Sequence, residues 1–152
     1  MYIRVGLKKR ALAYTDLVVN TEVEVRFSEV DAMGVVWHGN YIKYFEDGRE
    51  AFGEKYGIKY LDVFANGFMT PIVKTVCEHK LPLAYGDVAV VQTQYINTEA
   101  AKIHFLFTIY RKSDNQIAAT GESVQVFIDE KRQLVLTNPE FYVNWKKKVG
   151  LL

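Results

Sequence analysis

The sequence predicts an α+β domain in which one antiparallel sheet wraps around one long helix. Two observations indicate it: an apolar period of 3.6 over residues 40–56, and strand-like stretches on both sides of that segment. A helix and several long strands bury their apolar faces by packing together, which gives a two-layer arrangement. At 152 residues the chain fits one domain, residues 1–152, that can bury a core without disulfides.

The N-terminal part contains one clear strand. Residues 21–27 alternate, with Val23, Val25 and Phe27 on one face and charged residues on the other, which predicts a half-buried strand. Residues 1–15 have no clear period and are left unassigned, as an additional strand or a disordered leader.

Residues 40–56 have the pattern of an amphipathic helix. Its apolar face is formed by Tyr41, Phe45, Gly48 and Phe52. Gly48 costs up to about 1 kcal/mol relative to alanine in a helix, so its presence in this stripe predicts a close approach of helix to sheet. Gly57 predicts the C-cap.

The rest of the chain is rich in Val, Ile, Thr, Phe and Tyr, which favour strands. The predicted strands are residues 70–81, 88–98, 101–111 and 116–128, with a hairpin turn at residues 113–115. Strand 101–111 is apolar on both faces, so both faces are expected to be covered. A final helix is predicted over residues 138–149, with Pro139 at its first helical position.

Composition excludes several functions. A net charge of +1 gives no electrostatic case for nucleic acid or an anionic membrane, and the basic clusters at residues 8–10 and 146–148 are expected to be solvated. The single cysteine, Cys77, fits a reducing compartment and is expected to be a buried, inert thiol. No apolar run approaches 18 residues and no signal peptide is recognisable, so a cytoplasmic protein is expected.

Residues 31–40 are the most informative segment. Asp31 lies in a loop of small residues, an apolar segment follows at 35–37, and residues 38–40 open the long helix. A helix start offers unpaired N–H donors and about half a positive charge, which suits an oxygen that becomes negative during acyl transfer. The segment therefore indicates a carboxylate close to a group of donors.

This segment resembles a known family signature. The run from Asp31 to Tyr41 (DAMGVVWHGNY), followed by Tyr44-Phe45-Glu46 and Arg49, resembles the 4-hydroxybenzoyl-CoA thioesterase-like branch of the hotdog-fold acyl-CoA thioesterases. Residues 82–87 resemble the turn that this family places between two long strands. The resemblance covers roughly residues 20–130 and implies the hotdog fold.

The resemblance implies hydrolysis of an acyl-CoA to the free acid and coenzyme A. Asp31 would be the nucleophile or the general base, and the backbone N–H of His38 the chief oxyanion donor. The His38 side chain either hydrogen-bonds locally or positions Asp31 or a water molecule. No cofactor is implied, and the spacing of the three histidines gives no case for a metal site.

Other side chains are weaker candidates. Trp37 and Tyr41 are packing residues or border the acyl pocket. Glu46 is a reserve catalytic carboxylate, or a structural partner of Arg49 at i+3. The strand histidines His79 and His104, together with the turn residue Asp87, are expected to be structural or surface residues.

Two rival functions remain from the sequence. One is hydrolysis of acyl groups carried by acyl carrier protein, and the other is a non-catalytic acyl-CoA-binding module with the same fold. One helix covers only one face of such a sheet, and family members join two sheets edge to edge. A homodimer or homotetramer is therefore expected.

Overall fold

The computed structural model describes residues 12–152. Within that range the α-helices are α1 (Asn40–Tyr56), α2 (Tyr60–Ala65) and α3 (Glu140–Lys148). The strands are β1 (Ala13–Glu24), β2 (Ile72–His79), β3 (Val88–Asn97), β4 (Lys102–Arg111), β5 (Gln116–Ile128) and β6 (Leu134–Val135). A short 3-10 turn, Phe27–Glu29, follows β1.

The strands form one antiparallel sheet in the order β1-β3-β4-β5-β2, with the short β6 paired to β5. Strands β3, β4 and β5 are sequential neighbours. By contrast, β1 and β2 lie at opposite edges, so the chain crosses the sheet between them. Helix α1 occupies that crossing and packs against the sheet. This is the predicted α+β hotdog arrangement.

Two glycines let α1 lie close to the strands. A Cβ on Gly48 would fall 2.3 Å from Thr93 Oγ1 and 2.9 Å from Val91 Cγ1. On the sheet side, a Cβ on Gly121 would fall 2.4 Å from the Phe45 ring. Any larger side chain at these positions would have to push the helix and the sheet apart. The predicted close approach at Gly48 is confirmed.

The core lies between α1 and the sheet. Phe45 stacks on Phe107 with ring centroids 4.4 Å apart, and Phe52 meets Phe105 edge to face at 4.9 Å. All four residues of the predicted helical stripe are buried: Tyr41, Phe45, Gly48 and Phe52. Aromatic pairs of this kind add to the stabilisation from apolar burial.

Helix α3 closes one end of the core, and the prediction that all three of its C-terminal lysines are solvated is wrong. Lys146 is only 2% exposed, and its Nζ donates to Thr98 O at 2.6 Å. Burial lowers the pKa of this ammonium group. The rest of the predicted solvated cluster, Lys147 and Lys148, is exposed. Pro139 is the N-cap rather than the first helical residue, so the helix begins one residue later than predicted, at Glu140.

The N-terminal strand is longer and ends earlier than predicted. Residues 13–15, part of the unassigned segment, already belong to β1, and Ala13 pairs with Asn97. Phe27 is 77% exposed in the 3-10 turn and does not share the buried face of Val25. The alternating pattern continues past Glu24, but the chain turns at Arg26, whose N–H donates to Glu29 Oε1 at 2.8 Å. Residues 1–11, with the basic cluster 8–10, lie outside the described residues.

Strand β2 forms an open edge. Within the described sheet it pairs only with β5, and every residue of β2 except Cys77 is exposed. Helix α2, which was not predicted, precedes it and exposes Tyr60, Leu61 and Phe64. This side of the domain therefore presents unpaired strand backbone beside apolar side chains.

Candidate active site

The loop that carries Asp31 is held in a fixed shape. Val30 and Val36 form an antiparallel bridge, and within it Asp31 N–H donates to Val35 O at 2.8 Å. Gly34 N–H donates to Asp31 O at 2.9 Å and closes a turn. Gly34 can adopt the positive φ of +78° that this turn has. The Asp31 backbone is therefore fixed by hydrogen bonds on both sides.

The Asp31 carboxylate has one engaged and one unengaged oxygen. Oδ1 accepts the N–H of Met33 at 2.8 Å, an Asx turn. No hydrogen bond to Oδ2 occurs anywhere in residues 12–152. The side chain is partly exposed. It therefore presents one ordered, negatively charged oxygen that a reacting group can approach.

Glu29 ties this loop to the start of α1. Its backbone carbonyl accepts Trp37 N–H and Asn40 Nδ2, both at 2.9 Å. Its Oε1 accepts the hydroxyl of Tyr44 at 3.2 Å, and burial together with the Glu29 charge raises the pKa of that tyrosine. Glu29 is not among the site residues that the sequence predicts. A carboxylate fifteen residues from its hydroxyl partner leaves no local pattern.

The segment entering α1 leaves two backbone donors unused. Neither His38 N–H nor Gly39 N–H has an acceptor among the residues that the structure describes, whereas Asn40 N–H bonds Trp37 O at 2.9 Å. The Trp37 indole lies over Gly39, where a Cβ would fall 2.1 Å from the ring. The two unused N–H groups precede the positive end of a 17-residue helix.

Asp31, His38 and Tyr41 meet in one cleft of about 280 Å³. Its lining residues are Asp31, Met33, Val35, Val36, His38, Tyr41, His79, Lys80, Leu81 and Pro82. The cleft therefore combines the carboxylate, the helix start and the end of β2. Three of the predicted site residues are brought together here.

Tyr41 forms the buried wall of this cleft. It is 2% exposed, and its hydroxyl oxygen accepts the N–H of Leu83 at 3.3 Å. Burial raises the pKa of its phenol above the ordinary value of 10.0. The Leu83 carbonyl in turn accepts Val36 N–H at 2.7 Å. Tyr41 thus supports the Asp31 loop through one intervening residue, Leu83.

The end of β2 contributes a histidine that the sequence analysis placed among structural or surface residues. His79 Nε2 lies 3.3 Å from the carbonyl oxygen of His38 and 3.6 Å from Cys77 Sγ. Its ring meets Tyr41 edge to face at 4.8 Å. In the sequence, only the position of His79 shortly before the turn at residues 82–87 indicates that it lies near the site. Cys77 is half-buried rather than buried, and desolvation, then the Glu78 charge, raises the pKa of its thiol.

Trp37 and Glu46 do not line this cleft. Trp37 is 50% exposed, and its ring packs on the His38 ring at 4.8 Å. Glu46 pairs with Arg49 Nη2 at 3.4 Å, as the structural alternative predicts. It lines a separate cavity of about 280 Å³ that also contains Phe52 and Trp145. The structure thus separates Glu46 from Asp31.

The remaining candidates are structural. His104 is buried and its Nε2 contacts Glu122 Oε2 at 2.9 Å. Asp87 holds the predicted turn, because its Oδ2 accepts Ala84 N–H at 2.8 Å.

In residues 12–152 no group of three or more His, Cys, Asp or Glu is arranged to hold a metal ion. No helix of that range is long and apolar enough to cross a membrane.

Comparison with known proteins identifies relatives of this arrangement. A sequence profile described as the thioesterase-like superfamily matches residues 25–145. YneP of Bacillus subtilis, provisionally assigned as an acyl-CoA thioesterase, is 33% identical over 110 residues, covering 72% of this chain and 79% of that protein. A chloroplastic acyl-acyl carrier protein thioesterase of Arabidopsis thaliana is 31% identical over 110 residues, covering 72% and 58% respectively.

A solved structure has the same fold. The DHNA-CoA thioesterase from Staphylococcus aureus superposes with a TM-score of 0.78 at 26% identity, over 87% of this chain and 90% of that chain. The match includes the sheet and the central helix that position the cleft.

Proposed function

This chain belongs to the thioesterase-like superfamily, and we propose that it hydrolyses an acyl-CoA thioester to the free acid and coenzyme A. The membership confirms the prediction of a thioester hydrolase. The assignment of the site is supported by one observation: Asp31, which has one unengaged carboxylate oxygen, and His38, at the helix start, line the same cleft.

Asp31 is the group that we assign to the chemical step. In one route its Oδ2 attacks the thioester carbonyl carbon, the C–S bond breaks, coenzyme A leaves as the thiolate, and water hydrolyses the resulting anhydride. In the other, Asp31 takes a proton from a water molecule whose oxygen attacks the same carbon, and the C–S bond then breaks to release the free acid and the thiolate. The thiolate is a good leaving group, so neither route needs a strong acid beside the sulfur.

The helix start is assigned to the carbonyl oxygen. Both routes place negative charge on that oxygen, and the N–H groups of His38 and Gly39 have no other acceptor in residues 12–152. A well-placed donor of this kind contributes about 3 kcal/mol to the stability of the transition state. The donors are backbone groups in the short segment that enters α1, so little reorganisation accompanies the reaction.

Substitution of Asp31 tests this assignment. We expect Asp31→Asn to lower kcat by about 100-fold or more, because the amide can neither attack nor accept the proton. Hydrolysis is measured by thiol trapping over a panel of acyl-CoA substrates. The matched control is Asp16→Asn, at an exposed position of β1. An Asp31→Asn variant with wild-type turnover contradicts the assignment.

Whether the acyl group is attached to coenzyme A or to acyl carrier protein is a separate question, because the relatives differ in this. One relative above is assigned to acyl-CoA and another is named for acyl-acyl carrier protein. Comparing kcat/KM for one acyl chain on the two carriers decides between them. Tight binding of an acyl-CoA without thiol release would instead indicate a non-catalytic binding module.

We also propose that the chain forms at least a homodimer. The open edge of β2 and the exposed apolar residues of α2 support it. These surfaces are the part of the domain that would be covered by a second copy.

A further inference from the structure

We propose that His79 is a positioning residue for the oxyanion donors and acts through the peptide that joins His38 to Gly39. The proposal rests on the proposed function, since it assigns a role in the same reaction. It starts from the 3.3 Å contact between His79 Nε2 and His38 O.

His79 is exposed, but its ring packs against a buried side chain at the end of β2. It lies edge to face on Tyr41, with centroids 4.8 Å apart and planes at 88°. Tyr41 is itself buried and hydrogen-bonded to Leu83. The imidazole therefore meets the His38 carbonyl from a fixed support on another part of the chain.

The hydrogen-bond partners of His79 determine which of its ring nitrogens carries the hydrogen. A carbonyl oxygen only accepts, so His79 Nε2 must carry the hydrogen and donate it. Cys77 Sγ, 3.6 Å from the same nitrogen, can then only be a second and weaker acceptor. The geometry thus indicates a histidine that donates to a backbone carbonyl rather than one that activates the thiol.

A hydrogen bond that fixes the His38 carbonyl also fixes the neighbouring N–H donor of Gly39. The His38 C=O and the Gly39 N–H belong to one planar peptide unit, so fixing the oxygen fixes the direction of the N–H. Donation into the carbonyl further polarises the unit and makes its N–H a better donor. Gly39 N–H is one of the two backbone donors without an acceptor in residues 12–152. His79 therefore aligns a donor that it does not itself supply to the substrate.

Three variants test the proposal. His79→Phe keeps an aromatic ring against Tyr41 but has no donor, and we expect kcat to fall about tenfold with KM changed less than twofold. His79→Gln places an amide nitrogen at a similar distance from the backbone and is expected to recover most of that loss. Cys77→Ala is expected to keep wild-type kcat. Thermal unfolding of each variant identifies a loss that comes from misfolding.

The outcomes separate this proposal from the function on which it rests. Wild-type kcat in a folded His79→Phe variant overturns it, and so does a His79→Gln variant as slow as His79→Phe. A Cys77→Ala variant as slow as His79→Phe also overturns it, because the thiol would then be the partner of His79. If the wild-type chain releases no thiol, the proposed function fails and this proposal with it.

Discussion

Single side chains support the Asp31 loop from inside the core, and Tyr41 is the clearest case. Its hydroxyl oxygen is the acceptor for Leu83 N–H, and Leu83 is fully buried. The Leu83 carbonyl accepts Val36 N–H at 2.7 Å, so the same residue reaches the strand pair beside Asp31. A buried backbone donor without a partner costs more than the hydrogen bond itself contributes.

Tyr41→Phe should therefore lower the free energy of unfolding by about 1–3 kcal/mol, because it leaves Leu83 N–H buried without an acceptor. Urea denaturation followed by fluorescence measures this. Tyr60→Phe, at a residue 55% exposed, is the matched control and should change little. Equal stability of the two variants would show that Leu83 N–H finds another acceptor.

The sequence predicts some of the residues of the cleft but not its full composition. Asp31, His38 and Tyr41 fall within eleven consecutive residues, so a local motif could identify them. His79 is 41 residues from the carbonyl that it contacts, and only the position of β2 beside the helix start brings it there. Apart from the place of His79 shortly before the turn at residues 82–87, a single sequence carries no signal for such a contact.

At the level of elements, an apolar period predicted the boundaries of one element correctly, and turn residues predicted those of another. Helix α1 has the predicted ends because its apolar period matches packing against the sheet, and strand β5 has them because turn residues bound a run rich in strand-forming residues. Helix α2 was missed because it is six residues long and most of its side chains are exposed, so it has no apolar stripe. Lys146 was misassigned because composition does not show that α3 packs against the β3–β4 turn.

Three strands are joined on the face of the sheet opposite α1 by a charged group. Glu122 of β5 contacts Lys74 Nζ of β2 at 2.6 Å and His104 Nε2 of β4 at 2.9 Å. The Lys74 hydrogen bond, followed by that of His104, lowers the pKa of Glu122 below its ordinary value of 4.5. A carboxyl with a lowered folded pKa adds stability above its unfolded pKa, and this is lost as pH falls through the folded pKa.

Glu122→Gln should thus lower the free energy of unfolding by about 1 kcal/mol at neutral pH, and the difference should shrink as the pH falls below 4.5. Chemical denaturation of both proteins across that pH range measures it. Glu78→Gln, which removes an exposed pair with Lys80, serves as the control and should have little effect at any pH. A difference between Glu122→Gln and wild type that grows on acidification would contradict the sign.

For the whole molecule, β1 is one open edge of the described sheet, and one copy of the chain leaves two further surfaces uncovered. One is the edge at β2, where Val73 is 60% exposed. The other is the face opposite α1, where Leu106 and Tyr110 of β4 are only half-buried. The strand patterns that are apolar on both sides predicted a second layer over this face, and none of residues 12–152 forms one. Association through these surfaces would remove the unpaired backbone of an open edge, which otherwise favours uncontrolled pairing.

Light scattering coupled to size-exclusion chromatography should therefore give at least twice the 17.5 kDa mass of one chain. Val73→Lys should shift the mass toward 17.5 kDa, since two-fold pairing of β2 edges would bring two new lysines and their charges together. Leu136→Lys, at an 81% exposed apolar residue outside β2, is the control and should keep the wild-type mass. A dilute wild-type monomer would contradict the association. An unchanged mass for Val73→Lys would place the contact at the β1 edge or on the face opposite α1, because a lysine in β2 leaves both intact.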